Sequence, residues 1–228
     1  MGWRAAAAPL VAAALLVGCS TGAGGAVDDA TEDADPGIDN EMLNADRDAV
    51  DVAPLRQSLQ DFEPASSPQE LVEFDLHDAI VRGRLRTVLP GGGRSPSEED
   101  DSPEQYVILA VDIEEVYAVS ADLGLDDTAY VVLFQGAWRG GQLEYSLDDW
   151  NRAVPSGTEL MLFLRRTSVG MVTGQHGIPA DAIGTTPIAQ GLILRDGDGL
   201  LGGLVDLDPG WTELSWEALG EQVVNATS

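Results

Sequence analysis

Downstream of residue 78 the apolar positions of the chain recur every second residue. Over Ala79 to Leu89, Val81, Leu85 and Leu89 fall on one side and Arg82, Arg84 and Arg86 on the other, the alternation of a half-buried strand. Tyr106 to Tyr117 repeats it: Val107, Leu109, Val111 and Ile113 face one way, Ala110, Asp112 and Glu114 the other. Between the two, Pro90-Gly91-Gly92-Gly93-Arg94 through Pro103-Glu104, with the acidic run Glu98-Glu99-Asp100-Asp101, reads as a long hairpin tip. Ala129 to Phe134 is nearly continuously apolar and extends to Trp138. Thr158 to Arg165 alternates through Leu160, Leu162 and Leu164. Ile188 to Arg195 and Leu200 to Leu207 read as two more strands, joined by the turn Asp196-Gly197-Asp198-Gly199.

Three stretches break this rhythm with helix signals. Ser67-Pro68-Gln69-Glu70 offers an N-cap, a proline at the first helical position and a glutamate three residues after the cap, with Leu71, Val72 and Phe74 as the apolar face and an end before His77. Glu144 to Val154 carries Ser146 as cap with Asp149 three residues on. Ser215 to about Val224 places Trp216, Leu219 and Val223 on one side.

Upstream the pattern is different. Cys19 to about Ser66 is rich in Gly, Ala, Asp and Pro, opens with Ser20-Thr21-Gly22-Ala23-Gly24-Gly25, and carries ten acids from Asp28 to Asp51 against Arg47 alone. That is a linker composition, and disorder is expected; Leu55 to Phe62 is a candidate short docking turn or helix. The fold expected is mainly β with short helices: a small closed or half-closed β-barrel over residues 64–228, behind a disordered acidic tether over 19–63. The order of long bent hairpin, further strands and intervening helix resembles OB-type barrels of the protease-inhibitor and netrin-module kind, over roughly Ala79 to Leu207. Such barrels host many functions, so the resemblance implies a fold and not an activity.

The first residues add an address. Arg4 is followed by an uncharged run, Ala5 to Val17, shorter than the about 20 residues a membrane-spanning helix needs and of the length of a signal-peptide core. It ends in Leu16-Val17-Gly18-Cys19, which resembles the lipobox of bacterial lipoproteins. That resemblance covers the first 19 residues or so. It implies a diacylglycerol on the Cys19 thiol, cleavage after Gly18 so that residues 1–18 leave as a signal peptide, and often acylation of the new amino group. The partner implied is the lipid bilayer, and the location the extracytoplasmic face of the cell membrane. Cys19 is the only cysteine; once acylated it leaves the mature chain without a thiol for a disulfide, a metal or a nucleophile.

Charge narrows the partners. All 12 basic residues are arginine, the formal charge is −27, and loss of Arg4 with residues 1–18, which hold no acid, makes it −28. Such a chain is repelled by nucleic acid and by anionic head groups. This usage fits a GC-rich genome, and second a salt-rich habitat.

Chemistry-bearing motifs are sparse. The tether acids do not match a calcium loop, Gly197-Asp198-Gly199-Leu200-Leu201-Gly202 lacks the helix a dinucleotide loop needs, and Ser168 in Arg166-Thr167-Ser168-Val169-Gly170 lacks the first glycine of a nucleophile elbow. No cofactor, metal ligand set or catalytic residue is assigned. Arg82, Arg84 and Arg86 could grip an anion, but cross-strand pairing of Arg84 with Asp112 and Arg82 with Glu114 accounts for them without a ligand. The least ordinary segment is the long loop over 167–187 with Gln175 and His176; with Trp138 and Arg139 at another strand end it forms the speculative ligand-binding set. A surface histidine and a core or rim tryptophan explain the same residues. The function expected is a membrane-anchored binding or envelope-interaction module. The alternative is an extracytoplasmic hydrolase with its site in the 167–187 loop, in which His176 or His77 would meet a carboxylate within a pocket.

Overall fold

A sheet of alternating strands can close a core on its inner face by curling, and this one curls. The computed structural model describes residues 49–56, 62–94, 104–139 and 142–228. Among them lie β1 (Ala79–Arg94), β2 (Glu104–Val119), β3 (Thr128–Arg139), β4 (Gln142–Leu143), β5 (Glu159–Thr167), β6 (Gly184–Asp196) and β7 (Gly199–Gly202). The helices are α1 (Pro68–Glu73), α2 (Leu147–Ala153), α3 (Pro209–Thr212) and α4 (Trp216–Thr227), with a 3-10 turn at Ala53–Leu55. The sheet order is β4-β3-β2-β1-β5-β6-β7. Neighbours are antiparallel, but β3 also meets β6 in parallel, Tyr130 opposite Gly184 and Val131 opposite Thr185. The buried Thr185 hydroxyl donates to the Tyr130 carbonyl across this seam at 3.1 Å. The chain is therefore mainly β with short helices, in a half-closed barrel of β1, β2, β3, β6 and β5.

The interior holds Val81, Leu85, Val107, Leu109, Leu133, Leu160, Leu162 and Leu194 among others. Fully buried Trp150 of α2 packs into it, as does Leu123, whose loop is tied to the start of β1 by Ser120 N–H donating to the Asp78 carbonyl at 2.7 Å. A bulge between Leu85 and Thr87 slips the alternation by one; Val88 takes the interior position and Leu89 packs outside. Ala110, expected on a polar face, is buried because that outer face is covered too.

The caps read from sequence are in place. Ser67 accepts from the Glu70 N–H, Ser215 from Ala218, and Ser146 with Asp149 forms a complete capping box. Several boundaries differ. The tether expected over 19–63 is cut short: Leu55 is fully buried in the core with Val50 and Val52 against it, and Asp51 N–H donates to the Ala153 carbonyl at 2.8 Å. The rest of that tether, through Asp48 and over 57–61, lies outside the described residues, as does the hairpin tip over 95–103. β6 starts at Gly184 rather than Ile188, since the parallel seam needs Gly184 and Thr185. β7 ends at Gly202 instead of running to Leu207, and Asp208 caps a short α3 that the strand pattern did not announce.

Candidate functional site

The long loop is shorter than expected, running from Ser168 to Ile183 between β5 and β6. Its glycines serve turns: Gly170, Gly174 and Gly177 have φ of 69°, 71° and 82°. Gly174 N–H donates to the Ile178 carbonyl and Ile178 N–H to the Gln175 carbonyl, each at 2.9 Å. This tight turn lifts Gln175 and His176 into solvent, with His176 itself at φ 52°. Behind them Ile178 is buried against Ile108, Ala110, Tyr130 and Val132. The loop is thus a cover over the outer face of β2 and β3.

Trp138 and Arg139 pair through their backbones with Leu143 and Gln142 at the far end of β3; their side chains lie outside the description. A hollow of about 370 Å³ between the two ends of the loop is lined by Arg166, Ser168, Met171, Thr173, Asp181 and Ile183, and not by Gln175 or His176. No described contact joins the four residues into one cleft. Gly18 and Cys19 lie outside the described residues.

His77 sits over a different face. It is half-buried, its ring edge-on to fully buried Phe163 with centroids 6.0 Å apart. Its Nδ1 is buried without a partner. Burial pushes its pKa below the usual histidine value, while Asp75 and Asp78 pull the other way. Among the described residues neither histidine forms an ion pair with a carboxylate, and no group of three His, Cys, Asp or Glu is placed to hold a metal.

The arginine row is paired within the sheet. Arg84 lies opposite Asp112 in the backbone register, but Arg82 lies opposite Glu115 rather than Glu114, because β1 and β2 slip at bulges. The side chains follow: Arg82 meets Glu115 at 3.3 Å and Arg84 meets Glu114 at 2.7 Å. Arg84 also reaches Glu159 at 2.8 Å, which Arg195 holds from the other side at 2.8 Å. Arg86 pairs with Asp112. The Glu114 and Asp112 hydrogen bonds raise the pKa of Arg84 and Arg86 above the usual arginine value. This ladder neutralises its own cations.

Two surface grooves had no clear signal in sequence, because each joins distant segments. One of about 390 Å³ is apolar, lined by Phe62, Leu71, Phe74, Leu76 and Ile188. The other, of about 430 Å³, runs between β2 and α4 and is lined by Arg82, Glu115, Tyr117, Glu217 and Glu221. There Tyr117 donates to Glu115 at 2.8 Å, and burial with that bond pushes its pKa up to about 12.

No known protein family, curated protein or solved structure matches the chain.

Proposed function

We propose that this chain is an exported lipoprotein, held on the extracytoplasmic face of the cell membrane by acylated Cys19, and that its barrel is a binding module. The observation that carries this reading is the position of the only cysteine, at the end of Leu16-Val17-Gly18-Cys19 behind an uncharged run. Two acyl chains anchor where one does not, since each buried CH₂ contributes about 0.8 kcal/mol. Among the described residues no helix is long and apolar enough to cross a membrane. The excess of acid keeps the barrel off anionic head groups. Residues 20–48 bound its reach, at roughly 100 Å from Cys19 when fully extended.

Binding rather than catalysis is supported by how the polar groups are spent. Arg82, Arg84, Arg86 and Arg195 of the sheet face carboxylates, and the two histidines lie over different faces of the barrel. What remains open is shallow grooves on the outside. Feeding a tagged fatty acid to cells expressing the native chain or Cys19→Ala tests the anchor. The native chain is expected to take up the tag and to lose residues 1–18, and Cys19→Ala to take up none. Equal labelling of the two chains, or no labelling of the native chain, would overturn the reading.

A further inference from the structure

Past Ile113, β2 has no described strand neighbour on the side away from β1. Its pairing with β3 ends at Asp112 opposite Thr128, while its pairing with β1 continues to Val119. The chain leaving Val119 does not fill the gap. Ser120 N–H donates to the Asp78 carbonyl at 2.7 Å, Leu123 turns into the core, and the chain returns to β2 only where Ile113 N–H donates to the Asp127 carbonyl at 2.9 Å. Among the described residues, Glu114 to Val119 is a free sheet edge.

Both faces beside this edge carry information. Val116 and Val119 lie opposite Val81 and Ala79, which are interior residues, and partners across a ladder share a face. Yet they are 50 % and 49 % exposed, because β2 has here outrun β3. On the other face lies the acidic groove of Glu115, Glu217 and Glu221, with Arg82 already engaged by Glu115. An unpaired edge invites strand addition, and main-chain bonds then supply affinity while alternate side chains supply specificity. A second copy of this chain is disfavoured, since it would bring its own charge of −27 to an edge flanked by Glu115, Glu217 and Glu221.

Resting on the binding-module reading, we propose that the edge Glu114–Val119 receives an extended segment of a partner protein in which aliphatic and basic residues alternate. Its aliphatic side chains cover Val116 and Val119. Its lysines or arginines enter the groove of Glu115, Glu217 and Glu221.

The test uses the full mature chain carrying Cys19→Ser, so that anchoring plays no part, and a blocked peptide of alternating valine and lysine. Saturable amide shifts are expected to concentrate in Glu114–Val119. Binding should be at least tenfold weaker for a peptide of equal charge with a central proline, and severalfold weaker to the Glu217→Gln/Glu221→Gln chain. Three results overturn the proposal: no saturable shifts at millimolar peptide, shifts centred elsewhere, or equal affinity for the proline peptide. Concentration-dependent self-association through the same edge overturns it as well. Failure of the binding-module reading itself would show differently, as no partner retained by the lipidated chain from its native envelope.

Discussion

Over the outer face of β1, β5 and β6 lie α1, α3 and α4, whereas the outer face of β2 and β3 is covered by the loop over 168–183. The helical cover sets Leu71, Trp211, Trp216, Leu219 and Val223 against Ile80, Met161, Phe163 and Ile193. It is also stitched by polar bonds: Ala65 N–H donates to Gln190 Oε1 at 2.5 Å, and the Ala65 carbonyl accepts from the Trp211 indole at 3.1 Å. The loop offers one buried side chain, Ile178, with Met171 and Ala182 partly buried beside it. Helices satisfy their own backbone and can spend side chains on packing. A loop must spend its residues on turns and glycines, so it covers the same kind of surface with less apolar area. The two halves of the barrel should therefore differ in stability and in how they open.

The largest effect expected is on the helical side. Trp211→Ala removes a fully buried indole and its bond to Ala65, and a loss of about 3–5 kcal/mol is expected by urea denaturation. A cost under about 1 kcal/mol would remove the contrast, because truncation in a true core is never that cheap. On the loop side, Ile178→Ala is expected to cost about 2 kcal/mol, the low end for such truncations, since a surface loop can settle into the gap. Hydrogen exchange should quicken in 168–183 and the facing strands, and leave α4 unchanged. Equal quickening over both faces would mean that they open as one unit.

Thr185→Val tests the seam between the halves. It removes the hydroxyl bond to the Tyr130 carbonyl, and about 1 kcal/mol is expected by thermal or urea unfolding. Arg84→Ala breaks two ion pairs, but its side chain is 49 % exposed, so a loss within about 1 kcal/mol is expected. The pH dependence sharpens the same contrast. In the folded chain burial holds the His77 pKa below its unfolded value, so the unfolded state binds that proton more readily. This contribution to stability is full above about pH 6.5 and declines as pH falls through and below it. His77→Leu should flatten that part of the melting-temperature profile between pH 8 and 5.5.

The helical cover was legible because caps and periodicity are local. Ser67, Ser146 and Ser215 cap where the sequence places them. The strands were legible for the same reason, and their order suits the expected half-closed barrel. What depends on distant pairing was not. Nothing in Gly184-Thr185 reveals a parallel partner at Tyr130 and Val131. Leu55, the first residue of the expected docking segment, does dock, but nothing in Val50 and Val52 distinguishes them from the acidic stretch before them. The glycines and histidine of the long loop build, around Ile178, the turn of a cover. The free edge at Glu114–Val119 was hidden because nothing within β2 marks where its neighbour stops; only the end of β3 pairing at Asp112 exposes it. The arginine row was read correctly as paired, with each partner moved by bulges that an alternating pattern does not show.

Intact mass spectrometry of the native protein tests the anchor most directly. The expected species begins at residue 19 and carries a diacylglycerol thioether on Cys19, with or without a further acyl group on its amino terminus. A chain that retains residues 1–18, or a cleaved chain with a free Cys19 thiol, would contradict the proposed attachment to the membrane.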